Sequence, residues 1–181
     1  MSAKDKNLND LFLDTLKDIY YAEKQVLKAL PKMAKAAHSD QLRAAFEKHH
    51  GETEGQVERL ERVFELIDKP ARGKTCEAIQ GLLDEGKEIM EEYKGTEALD
   101  AGMVAAAQAV EHYEIARYGT LVAWAEKLGL TEAVPLLRET LDEEKNTDDK
   151  LTELALLEIN VEANNAAEKN VTNKPKKKAA A

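Results

Sequence analysis

Spacings of three and four residues recur through most of this chain, and they predict helices with one apolar face. Over residues 9–37 they select Phe12, Leu16, Ile19, Glu23, Val26, Leu30 and Met33. Over 39–67 they select Leu42, Phe46, His49, Thr53, Gln56, Leu60, Val63 and Ile67. A third series, over 98–128, runs Val104, Ala107, Glu111, Glu114, Tyr118, Leu121, Ala125, Leu128. The fourth, from Thr131 to about Leu157, runs Val134, Leu137, Leu141, Glu144, Asp148, Leu151, Ala155. Every series is apolar at both ends and polar in the middle.

Punctuation sets the limits. Pro31 is placed to kink the first helix near its end. Ser39 and Asp40 can cap the second, and Asp68-Lys69-Pro70 stops it. Gly129 suits the position just past the third, and Pro135 falls in the first turn of the fourth. The first two helices are joined by almost nothing, as are the last two, so each pair should form an antiparallel hairpin. Residues 69–98 lie between the hairpins and carry a short helical stretch, Thr75 to Tyr93. A connection of that length can cross a whole bundle, which is the ferritin-like arrangement, or can pack as a lid at one end. Glu158 to Ala167 predicts a short further helix. The lysines at 174 and 176–178 predict a solvated tail over 169–181, with 1–168 as one domain.

Composition agrees with an all-α domain. Of 181 residues, 43% are apolar and 34% charged, with 9 Gly and 4 Pro. That is too apolar for a disordered chain and too rich in strong helix formers for an all-β one. The formal charge of −9 disfavours nucleic acid and anionic lipid as partners. A single cysteine, Cys76, excludes an internal disulfide and is expected to be a small buried residue. No apolar run is long enough to span a bilayer, and Met1 to Asn7 lack a hydrophobic signal core, which predicts a soluble cytoplasmic protein.

The polar interruptions carry the chemistry. Packing the four helices brings Glu23, Glu111, Glu114 and Glu144 to one layer, with Glu52 flanking the second stripe and Asp148 and His49 nearby. Several buried carboxylates must hold protons or neutralise a cation. Hard oxygen donors with one imidazole suit Fe or Mn, and a dinuclear site with bridging glutamates would balance the charge. His49 is open to three roles: ligand, donor to a ligating carboxylate, or satisfied core histidine. Gln56 and Thr53 are expected to support ligands. Tyr113 and Tyr118 are expected to pack, and His38, His50 and His112 to lie at the surface. Glu143 competes with Glu144 for the inward place.

At these residues the sequence resembles the YciE/YciF stress-protein family. The resemblance rests on Asp18-Ile19-Tyr20-Tyr21-Ala22-Glu23, Glu52-Thr53-Glu54-Gly55-Gln56, Lys74-Thr75-Cys76-Glu77, Glu111-His112-Tyr113-Glu114 and Thr140-Leu141-Asp142-Glu143-Glu144. It covers about residues 8 to 165. It implies a ferritin-like four-helix bundle, commonly dimeric, similar to rubrerythrin in core layout, with ferroxidase as the activity usually attached. It also implies Glu23, Glu52, Glu111, Glu114 and Glu144 as metal ligands, one or two from each helix. The Glu-x-x-His pairs usual in such bundles are missing, because residue 55 is glycine and residue 147 threonine. His49, Gln56 or Asp148 would have to compensate.

Two functions compete at this point. One is a di-iron carboxylate protein, taking Fe(II) with O2 or peroxide, with Mn as the other candidate metal. The other is a non-catalytic dimeric helical protein whose polar core holds no metal.

Overall fold

The computed structural model describes residues 5–172. It is built from α1 (Leu8–Ala36), α2 (Asp40–Leu66), α3 (Glu77–Glu92), α4 (Leu99–Lys127) and α5 (Ala133–Leu154). A π-helical turn, Ala155–Ile159, then leads into α6 (Asn160–Thr172). Among the described residues there is no strand. The last helix runs past the expected end at Ala167, and the lysines at 174 and 176–178 lie outside the described residues.

Several boundaries have a local cause. Asn7 caps α1, its side chain accepting from the Asn9 and Asp10 amides while Asp10 accepts from the Asn7 amide, a reciprocal capping box. Ser39 caps α2 through the Leu42 amide, at 3.2 Å. The helix α1 continues through Pro31 to Ala36, where the ring removes one backbone donor without ending the helix. Past α4, Gly129 takes φ +73° and the Leu130 amide returns to the Ala125 carbonyl at 2.9 Å, closing the helix with a left-handed residue. Past α2 the same left-handed place is filled by Asp68, at φ 52°.

The helices α1 and α2 pack as one hairpin, α4 and α5 as the other. Across the bundle α1 lies beside α4 and α2 beside α5. The connection from α2 to α4 therefore returns along the full height of the bundle, making α4 parallel to α2. This is the long ferritin-like crossover, and α3 rides on it against α4 and α1. Residues 68–75 form an exposed strap, pinned where the Lys74 amide bonds the Lys17 carbonyl at 3.1 Å. Buried Cys76 and Ile79 anchor the start of α3. Gly102 is required where α3 meets α4, because a Cβ there would sit 2.6 Å from the Ile89 methyl.

Asp100 ties the hairpins together at the top of the bundle. It is buried in the first turn of α4, and its carboxylate accepts from the backbone amides of His38, at 3.0 Å, and Ser39, at 2.6 Å. Both bonds are part-buried, and removing the carboxylate would leave its two amide partners without it. Asp100→Ala is therefore expected to cost about 1–3 kcal/mol. Urea unfolding should show a lower midpoint at unchanged slope.

Candidate metal centre

Five acidic or imidazole side chains meet at mid-height with almost no solvent around them. Glu23 comes from α1, His49 from α2, Glu111 and Glu114 from successive turns of α4, and Glu144 from α5. Each is between 0% and 3% exposed. One ligand atom from each of His49, Glu111, Glu114 and Glu144 can be chosen so that all lie within 4.8 Å of one another. Glu23 stands beside them, and its charge acts on both Glu111 and Glu114.

These groups lack protein partners. Both oxygens of Glu114 and of Glu144, Oε2 of Glu23 and of Glu111, and Nε2 of His49 are buried without a hydrogen bond. His49 Nε2 approaches Glu111 Oε1 at 3.3 Å and Glu144 Oε2 at 3.9 Å without the alignment of a bond. Its other nitrogen, Nδ1, lies 3.4 Å from the Thr147 hydroxyl. Glu23 has a fixed orientation, because the buried Tyr118 hydroxyl donates to its Oε1. So Tyr118 packs as expected and also positions a carboxylate.

The electrostatics follow from burial. Glu114 and Glu111 are pushed well above the usual carboxylate range, first by loss of water and then by neighbouring carboxylates. Glu23 is raised for the same reasons, although the Tyr118 bond and Arg59 oppose the rise. Burial raises Glu144 too, with His49 opposing. Burial and mutual repulsion thus favour the protonated form of these carboxyls over the charged one.

The remaining candidates fall outside the cluster. Glu52 is half-buried. It pairs with Lys48, and its Oε2 lies 3.9 Å from His49 Nδ1. Those two neighbours, His49 first, hold its carboxyl below the ordinary range against partial burial. Asp148 accepts from the Gln108 side chain at 3.0 Å and faces His112 at 3.3 Å, on the outer side of the α4–α5 pair. Gln56 is fully buried, and its amide donates to Glu143 Oε2 at 3.1 Å. Arg59 on α2 decides between the adjacent glutamates. It pairs with Glu143 and Glu139 and bonds Thr140 Oγ1 at 2.9 Å, so Glu143 is drawn outward and Glu144 is left facing the core. Of the expected ligand set, four carboxylates and His49 converge, while Glu52, Gln56 and Asp148 surround them.

A second polar group escaped the sequence reading. The Tyr113 hydroxyl donates to Asp18 at 2.6 Å and touches Cys76 Sγ at 3.1 Å, with the Arg117 guanidinium 5.0 Å over its ring. It pins the crossover to α1 and α4. Burial and the Asp18 carboxylate push the phenol upward. Tyr113 lies one residue off the inward stripe, so spacing alone gave no sign of it.

Comparison with known proteins places the chain. Residues 7–164 match the family described as Domain of unknown function (DUF892). The chain is 47% identical over 163 residues to Protein YciF of Escherichia coli strain K12, covering 90% of this chain and 98% of that one. It superposes on the crystal structure of the E. coli stress protein YciF with TM-score 0.80 at 44% identity, covering 93% of this chain and 99% of the other. It superposes on YcfI of Rhodopseudomonas palustris, proposed as a structural protein, with TM-score 0.81 at 47% identity, covering 84% and 97%. No helix among the described residues is long and apolar enough to cross a membrane. The chain belongs to the DUF892 family, to which its likeness to YciF extends over nearly its whole length.

Proposed function

We propose that this protein is a di-metal carboxylate protein that takes Fe(II) as substrate and oxidises it with O2 or peroxide. The observation that carries the reading is the convergence of His49 with Glu111, Glu114 and Glu144, whose ligand atoms can lie within 4.8 Å of one another, beside the buried, unpartnered Oε2 of Glu23. A hard or borderline divalent ion supplies the positive charge that this layer lacks, and iron adds one-electron chemistry. The donor set fits: mostly carboxylate, with one imidazole, and no thiolate.

The side chains divide the work. Tyr118 holds Glu23 by one oxygen and leaves the other directed at the cluster. Thr147 beside Nδ1 leaves His49 to present Nε2. Glu111 and Glu114, one turn apart, reach the same space from one rigid helix and would both hold the metal. All four carboxyls must lose protons for metal to enter, so uptake releases protons and weakens in acid. The surrounding helices leave each of these side chains at most 3% exposed.

The reading includes a cytoplasmic homodimer, for which exposed Leu156, Leu157 and Val161 offer apolar area. Mn is the second candidate ion. A non-catalytic core is the competing reading, favoured by the proton-holding character of the isolated cluster.

Anaerobic Fe(II) loading followed by oxygen tests the proposal. About two irons per chain, oxidised faster than free iron, are expected. Specific loading of none would overturn the catalytic reading and leave the core as a proton-filled structural layer.

A further inference from the structure

Directly above the acidic layer, toward the α1–α2 turn, the bundle is hollow. A cleft of about 290 Å³ is lined from all four bundle helices and from Leu83 of α3. Its walls are apolar: Val26, Leu30, Met33, Phe46, Val110 and Leu151. Its lower end is His49 and Glu111, and its mouth, between α2 and α5, carries Lys48, Glu52, Asn146 and Lys150. Filling this space with side chains would have been the ordinary outcome in a packed core. Instead Ala29, Ala45 and Ala107 stand at three of the lining positions.

The cleft opens between α2 and α5, and at about 290 Å³ it has the size of a small molecule, not of a peptide segment or a second copy of the chain. An apolar cavity with a few polar atoms at one end is the usual form of a small-molecule site. The polar atoms present are distinctive. His49 and Glu111 line this lower end, and each carries a buried atom without a hydrogen bond. The mouth lysines are already engaged, Lys48 by Glu52 and Lys150 by Glu153 at 2.6 Å. Glu111 is at the floor and the mouth lysines are paired with carboxylates, so no unpaired cation at either end favours an anionic head.

We propose that the cleft binds an unbranched aliphatic molecule with a neutral oxygen head, an alcohol or aldehyde, the head at His49 and Glu111 and the chain between Phe46, Leu30 and Leu151. The volume takes about ten methylene-sized groups, each close to the ~30 Å³ of a water. The inference goes beyond the iron reading and shares His49 and Glu111 with it, so the metal-free and Fe(II)-loaded samples are compared directly.

Calorimetric titration of full-length protein with decanol, decanoate and short-chain butanol tests it, in metal-free and Fe(II)-loaded samples. Decanol is expected to bind more tightly than decanoate or butanol. Ala107→Leu fills the cleft from α4 and should weaken decanol about tenfold or more. Ala29→Leu, at a half-buried position on α1, should do the same, and circular dichroism confirms that either variant is folded. No decanol binding to wild type, decanoate binding the tighter of the two, or undiminished binding by both filled variants would each overturn the proposal. The iron result is read separately. Protein that loads iron but ignores decanol overturns the cleft alone, and protein that binds decanol but no iron keeps the cleft and overturns the ferroxidase reading.

Discussion

Glu114→Leu is expected to make the metal-free protein more stable at pH 8, by about 1–4 kcal/mol, while destroying its use for metal. Glu114 is fully buried, both its oxygens lack partners, and it faces the charges of Glu23, Glu144 and Glu111. Leucine of similar length removes that cost. The effect depends on pH in a defined sense. A carboxyl whose folded-state value is raised keeps its proton in the fold while the unfolded chain releases it above about pH 4.3. Stability associated with such a group is therefore complete in acid and declines as pH rises. Glu23, Glu111, Glu114 and Glu144 all shift in this direction. Metal-free wild type should be more stable near pH 5 than at pH 8, and the advantage of Glu114→Leu should shrink between those values. Urea unfolding of chelator-treated protein at both pH values measures this. Equal wild-type stability at pH 5 and pH 8 would show that something other than protons balances the layer.

Iron binding should respond oppositely and more steeply. Glu111→Ala/Glu114→Ala takes both α4 ligands from the cluster and should lower Fe(II) affinity by more than about 10²-fold, the loss seen for merely supporting a ligand being about 10–100-fold. Oxygen admitted to that variant should oxidise iron no faster than buffer does. His49→Ala should approach the same loss, since its Nε2 lies among the carboxylates. Glu52→Ala should cost about tenfold or less, because Glu52 sits at the cleft mouth with Lys48. Metal analysis after anaerobic loading ranks the variants. A Glu52→Ala loss equal to that of the double variant would mean that Glu52 swings inward when metal arrives.

The centre of each helix was the most legible part of the sequence. Glu23, His49, Thr53, Gln56, Glu111, Glu114 and Glu144 were named from spacing alone, and all are buried. Near the helix ends the same spacing drifts, since repeated steps of three and four do not hold one face of a 3.6-residue helix. Ile67, Leu128, Val134 and Ala155 are accordingly only half-buried. Asp148 illustrates the limit within a helix. It lies one turn past Glu144, yet Gln108 and His112 on α4 draw its carboxylate to the outer side.

Contacts between helices were not legible. Nothing in the local pattern of α5 distinguishes Glu143 from Glu144. The choice is made by Arg59, more than eighty positions earlier. The role of Asp100 as acceptor for the α1–α2 turn depends on where the crossover lands. The cleft left no trace at all, because a void is the sum of what five helices fail to fill.

The exposed strap at 68–75 has a consequence for how the protein could be taken apart. All its residues are exposed, and a cut within it would leave α1 and α2 on one fragment and α3 to α6 on the other, each with its own apolar stripes. Glu23 and His49 would be on one fragment, and Glu111, Glu114 and Glu144 on the other. Reassembly would become a bimolecular event whose equilibrium depends on fragment concentration, on acidity and on dissolved divalent ions. The two halves of this chain would then act as a split sensor, associating in proportion to the cation that joins them.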